Sequence, residues 1–99
     1  MSAEDLIQKL RESVEEGEWS WLAPHHARGA VVVVSPELDL AEVGSAVARD
    51  AVAEVGPWLQ QGQLAKPTTQ QAESWDSTAG QKFRFLIVQP YVLIQSLAH

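Results

Sequence analysis

The stretch that most constrains the fold runs from Phe83 to Ser96, because it is apolar on both of its faces. Alternate side chains of an extended chain point to opposite sides. The large apolar side chains are Phe83, Phe85 and Ile87 on one side, and Leu86 and Val88 on the other. Neither side of such a strand can face water, so other elements must cover both. The sequence therefore predicts a central β-strand with two covered faces.

A second β-forming run, Ala30–Val34, contains four consecutive valines. Side chains branched at Cβ favour the extended conformation, so this run is the predicted ladder partner of the central strand. We expect the apolar residues of the two runs to form one core that solvent hardly reaches. The residues in question are Val31, Val33, Phe85, Ile87 and Val88.

Most of the remaining chain is predicted to be helical. Apolar residues spaced three and four apart predict a first helix over Ala3–Glu16, and Gly17 is the expected residue after its end. The segment Trp19–Gly29 is predicted to form a short helix or turn that leads into the valine run.

The segment Leu40–Gln61 admits two interpretations. Asp39 is a predicted N-cap, and apolar residues then recur with a helical period. Either one helix runs through the segment with a kink or restart at Gly56-Pro57, or Asp50 caps a second helix and the segment is a helix-turn-helix.

After this segment the sequence predicts a helix end at Gly62 and a short strand within residues 63–66. Thr68 and Gln71 have the spacing of a capping box, which predicts a short helix that extends to Trp75.

Length and composition indicate a single domain, residues 1–99. A chain of 99 residues can bury a core without disulfides, and the absence of cysteine removes thiol nucleophiles and zinc–thiolate sites. No apolar run approaches the roughly 20 residues of a membrane helix, and no basic, apolar leader follows Met1. We therefore expect a soluble, cytoplasmic protein with no membrane contact.

The formal net charge of −6 is unevenly distributed along the chain. Residues 1–54 hold eleven acidic and four basic side chains, whereas residues 55–99 hold two acidic and three basic ones. An acidic half repels phosphate backbones, and it suits either a basic protein surface or a solvated helix face. Nucleic acid is therefore an unfavoured partner.

His25, His26 and Arg28 form the one cluster of residue types that catalysis commonly uses. The two histidines are adjacent, which is not the spacing of a helical metal site, and no cysteine is present to complete one. A structural role at a helix end is the favoured interpretation. We expect no catalytic residue, no metal site and no cofactor.

Gln89 and Tyr91 flank Pro90, which cannot donate to a β-ladder, so they are predicted to mark a bulge, an edge or a crossing of strands. The apolar segment from Tyr91 to Leu97 has no lysine, arginine or further proline to block pairing with another chain. If nothing covers it, a two-fold homodimer through this segment is expected.

Four motifs resemble one family of proteins. They are LAPHHARG at 22–29, LDL at 38–40, WLxxGxLxxP at 58–67 and LIVQPYVLIQ at 86–95. On these the chain is similar to a small, uncharacterised bacterial family found in cyanobacteria and proteobacteria, domain of unknown function twenty-two eighty-eight. The resemblance covers nearly the whole chain. Since the family has no assigned activity, the resemblance implies no catalytic residue.

The expected fold is α+β, with a small sheet of two to three strands and three to four helices. The order of elements is that of a winged helix-turn-helix with residues 68–82 as an enlarged wing. Its second helix, Ala51–Gln61, contains Glu54 but no lysine or arginine, which argues against DNA binding.

The favoured function is a non-enzymatic cytoplasmic module that binds a protein partner through an acidic helical face and an apolar strand edge. A winged-helix nucleic-acid-binding protein is the alternative. A small enzyme or metal protein that uses His25, His26 and Arg28 is a second alternative.

Overall fold

The computed structural model describes residues 3–96, which form five α-helices and five β-strands. The helices are α1 (Ala3–Ser13), α2 (Trp19–Ala27), α3 (Leu40–Ala48), α4 (Val52–Gln60) and α5 (Thr69–Asp76). The strands are β1 (Glu15–Glu18), β2 (Val31–Val34), β3 (Leu64–Ala65), β4 (Lys82–Val88) and β5 (Tyr91–Ser96). None of the described helices has the length and apolar content that crossing a membrane requires.

The α+β class is confirmed, but the predicted two to three strands and three to four helices were too few. All five described strands form one mixed sheet in the order β1-β4-β5-β2-β3. β2 and β5 are parallel, and the other neighbouring strands are antiparallel. Two strands escaped prediction because one is the acidic stretch Glu15–Glu18 and another arises by splitting Phe83–Ser96.

The predicted central strand is in fact a β-hairpin. β4 and β5 pair antiparallel along their length, with Phe85 opposite Ile94, and a cis peptide bond joins Gln89 to Pro90 in the turn. The prediction of an exposed edge at Tyr91–Leu97 is therefore wrong for its described part, because β5 lies between β4 and β2. Leu97 lies outside the described residues.

The valine run pairs with the second half of the apolar stretch, with Val31 beside Val92. Val31 and Val88 are buried as expected, but they belong to separate cores on opposite faces of the sheet. Val33 and Phe85 are only half-buried. Ile87 is 52% exposed. The expectation that solvent hardly reaches these residues was wrong for Ile87. β1 ends opposite Phe85, so no strand lies beside Ile87 on the β1 side of β4.

Helices cover both faces of the sheet, as the sequence predicted. On one face, α2 and α5 contribute Trp19, Leu22 and Ala72 to a core with Phe83 and Ile94. On the other face, α1, α3 and α4 pack against the opposite side chains of the sheet. The core residues contributed by the sheet on that face are Val34, Leu64, Leu86, Val88 and Leu93. The sheet is thus the middle layer of three.

The predicted first helix is shorter than expected, since α1 ends at Ser13 and the chain enters β1 at Glu15. Gly17 does not end a helix. It lies opposite Phe83, and a Cβ atom there would be 2.7 Å from a ring carbon of Phe85. The close approach of that ring explains why glycine stands at this position.

The helix-turn-helix alternative describes Leu40–Gln61 better than a single helix. α3 ends before Asp50, whose φ of 54° lies in the left-handed region. Ala51, rather than Asp50, is the N-cap of α4. No restart occurs at Gly56-Pro57, because α4 runs through both; a glycine before proline removes the Cβ that would collide with the proline ring.

The remaining local predictions are confirmed. Asp39 caps α3, accepting from the backbone N–H groups of Ala41 and Glu42. Gly62 follows α4 with a φ of 75°, and the short strand β3 comes next. Thr68 and Gln71 form the predicted capping box of α5.

Candidate functional site

His25, His26 and Arg28 lie at the C-terminal end of α2, where the chain turns into β2. The Arg28 side chain is exposed and pairs with Nδ1 of His25, while the His26 ring lies 5.7 Å from the ring of Trp19. Arg28 therefore has a histidine rather than an acidic or carbonyl partner. Its exposed position and its pairing with a residue of the same helix end are compatible with the structural role that the sequence favoured.

Gln89 lies in the β4–β5 turn and Tyr91 begins β5, and both side chains are exposed. This turn and the end of α2 are neighbours, because the backbone of Val92 donates to Ala30, which in turn donates to His25. The structure thus gathers the five predicted residues at one end of the sheet. Within residues 3–96, no three histidine, cysteine, aspartate or glutamate side chains are grouped to hold a metal ion.

An apolar groove begins at the same end of the sheet and runs beneath α4. It has a volume of about 420 Å³. Its floor is formed by sheet residues that include Val32, Leu64 and Leu93, and Tyr91 stands at its rim. Of the five predicted site residues, Tyr91 alone lines this groove.

One wall of the groove is the apolar stripe Val52, Val55 and Leu59 of α4. Val55 is half-buried and packs on the core, whereas Val52 is 70% exposed and Leu59 is 55% exposed. No residue of α4 is fully buried. An amphipathic helix of a globular protein usually buries its apolar stripe, so the apolar face of α4 is only partly covered.

Sequence reasoning missed this groove although its stripe was visible. Val52, Val55 and Leu59 follow the spacing of one helical face. That spacing says which side chains share a face but not whether another element covers them. The placement of α4 over the sheet decides that question.

Charged groups also line the groove. Lys66 and Asp50 take part in its lining, and the Lys66 ammonium approaches Gly29, the residue that follows Arg28. Lys66 forms no ion pair with the described residues. An otherwise apolar groove therefore offers one cation, Lys66, and one anion, Asp50, to an incoming group.

A separate polar network joins α1 to the start of α3. Arg11 donates to Asp39 at 3.0 Å, and both side chains are partly exposed. Burial alone would raise the pKa of Asp39, but hydrogen bonds from the α3 backbone and the Arg11 guanidinium outweigh it. The pKa of this carboxyl is lowered as a result.

We expect Asp39→Asn to destabilise the protein at neutral pH and to matter less in acid. A lowered folded pKa contributes stability above the ordinary value of about 3.9, and that contribution is lost as pH falls through the folded pKa. Asparagine caps helices as well as aspartate does, so the variant removes mainly the charge. Urea unfolding at neutral and acidic pH, with the exposed Glu73→Gln as control, would measure the difference. If Asp39→Asn lowered the free energy of unfolding equally at neutral and acidic pH, the lowered pKa of Asp39 would be contradicted.

The chain is similar to a family of proteins and to a solved structure. Residues 5–96 match the model of a family described as "Protein of unknown function (DUF2288)". The structure is similar to the NMR solution structure of PA1075 from Pseudomonas aeruginosa, with a TM-score of 0.80 and 34% sequence identity. That match covers 96% of this chain and 87% of the other. No curated protein matches the sequence.

Proposed function

This chain belongs to the DUF2288 family, whose function is unknown, and we propose from its groove that it is a non-enzymatic module that binds a protein partner. The observation that carries the proposal is the incompletely covered stripe of α4. Val52 and Leu59 are both more than half exposed beside Tyr91, which is 41% exposed. Contiguous exposed apolar surface of this kind is typical of interaction sites.

The proposed occupant is a short amphipathic segment of the partner. Such segments place apolar side chains in a groove with the spacing of a helical face. Lys66 would pair with an acidic side chain at one end of the segment, since it has no ion-pair partner among the described residues. This contact surface replaces the apolar strand edge expected from the sequence, because β5 is paired on both sides.

The test is a glutamate substitution at Leu59. Because Leu59 is more than half exposed, we expect Leu59→Glu to remain folded while a buried carboxylate in the complex weakens partner binding by at least about tenfold. Gln60→Glu is the matched control, since it adds the same charge at an exposed neighbour that does not line the groove.

The measurement has two parts. Immobilised wild-type and variant proteins would be compared for what they retain from a lysate of the source organism, and the affinity of any protein lost with Leu59→Glu would then be measured directly. Light scattering of the pure proteins would show whether the occupant is a second copy of the chain, a homodimer through the groove and not through the strand segment expected from the sequence. Equal retention by all three proteins, with unchanged mass, would refute the proposal.

A winged-helix nucleic-acid-binding protein is the second candidate, favoured by the tandem helices α3 and α4. Against it, α4 contains Glu54 and no basic residue, so it lacks the cations that neutralise phosphates. A mobility-shift assay at low salt would separate the two candidates.

We place the protein in the cytoplasm because it has no cysteine, as is common in reducing compartments.

A further inference from the structure

A second cavity lies on the sheet face that carries α1 and α3, at the opposite end of β5 from Tyr91. It has a volume of about 420 Å³ and contains the Arg11–Asp39 pair. Arg84 of β4 and Gln95 of β5, which are cross-strand neighbours, line it as well. Apolar side chains, among them Val14 and Leu38, complete its lining.

Arg84 is the notable group in this cavity. Its side chain is half-buried, yet it belongs to neither of the ion pairs among the described residues, which are Arg11–Asp39 and Arg49–Glu54. Glu16 lies opposite it in β1 but forms no ion pair with it. No side-chain nitrogen among the described residues is both buried and unpartnered, so the Arg84 guanidinium keeps contact with solvent at the cavity wall. An anion in the cavity would replace that solvent and accept a charge-assisted hydrogen bond from the guanidinium.

Hydrogen bonds hold part of the cavity wall in place. Gln95 is 4% exposed, and its amide donates to the backbone oxygens of Ser35 at 2.9 Å and Leu38 at 2.7 Å. These bonds fix the loop that leads to Asp39. Asp39 in turn positions Arg11 through the 3.0 Å contact. This part of the wall is therefore in place before binding, which favours affinity, whereas the Arg84 side chain would be ordered by the anion.

We propose that this cavity binds a small monocarboxylate with a short apolar body. Two guanidinium groups and one carboxylate line it, and their sum of one positive charge matches a single negative charge. Arg84 would bind the carboxylate in its planar fork, with Arg11 beside it. Val14 and Leu38 would contact the apolar body. A phosphate dianion fits less well because it would face Asp39.

The test is an NMR titration of backbone amides with propionate. We expect saturable shifts at Leu38, Arg84 and Gln95, and none with propionamide, which has the same shape without the charge. Arg84→Gln should weaken binding at least about tenfold, the size of one lost charged hydrogen bond. Arg49→Gln is the matched control, since Arg49 pairs with Glu54 outside the cavity.

Three results would overturn the proposal. They are shifts that fail to saturate at tens of millimolar propionate, equal weakening by Arg84→Gln and Arg49→Gln, and tighter binding of inorganic phosphate than of propionate. The Leu59→Glu variant should bind propionate normally, because Leu59 lines the other cavity. Failure of the carboxylate proposal would therefore leave the proposal of partner binding in the groove untouched, and the reverse also holds.

Discussion

Replacing Ile94 by lysine is expected to leave no folded protein. Ile94 is 0% exposed and belongs to the core beneath α2 and α5. Removing its buried side chain costs about 2–5 kcal/mol, and burying an unpaired ammonium costs several more. The total approaches or exceeds the roughly 5–15 kcal/mol that stabilises a domain of this kind.

Circular dichroism and thermal melting would measure the effect of Ile94→Lys. Ser96→Lys is the matched control, because Ser96 lies on the same face of β5 but is exposed. The free energy of unfolding of Ser96→Lys should lie within about 0.5 kcal/mol of the wild-type value, as is usual for exposed substitutions. If Ile94→Lys folded and its mass in solution showed a different oligomeric state from the wild type, β5 would be an association surface. That result would contradict its central position in the sheet.

Phe83→Ala is expected to lower the free energy of unfolding by about 3–5 kcal/mol. Phe83 is 1% exposed and contacts Trp75 with a ring centroid distance of 4.8 Å, in an edge-to-face arrangement. Trp19 packs beside both rings, 6.0 Å from Phe83. Truncation would therefore open a cavity and also remove aromatic contacts.

Phe85→Ala is the comparison for this prediction, because Phe85 lies two residues away on the same face but is only half-buried. Its loss should cost about 1–2 kcal/mol. Urea unfolding of both variants would give the two values. Equal costs would contradict the difference in burial between the two rings.

The covered faces of the sheet could be predicted because they follow from local chemistry. The alternation of large apolar residues in Phe83–Val88 requires two covered faces whatever the topology. The caps at Asp39 and Thr68 could be predicted for the same reason, since each depends on a side chain and the backbone within three residues of it.

The strand order could not be predicted, because it depends on residues far apart in sequence. Pro90 signalled an interruption of the apolar stretch, but whether a proline peptide is cis is decided by tertiary contacts. β1 shows the same limit. Its sequence, Glu-Glu-Gly-Glu, has weak strand propensity, and its pairing with β4 sets Glu16 opposite Arg84 and Glu18 opposite Lys82.

The candidate sites show a related limit. Tyr91 was predicted from its place beside Pro90 and does line the groove, whereas Leu59 and Arg84 were not predicted. Leu59 looked like an ordinary helix residue and Arg84 like an ordinary strand residue. Both became candidates only when the structure showed which side chains lack cover or a partner.

The central place of β5 has a consequence for how the protein is made. A ribosome adds residues in order, so β1 to β4 are all synthesised before the strand that joins β4 to β2. Until Tyr91–Ser96 emerge, the apolar inner edges of β2 and β4 have no neighbour. A nascent chain that lacks β5 therefore exposes two apolar strand edges on which aggregation can begin.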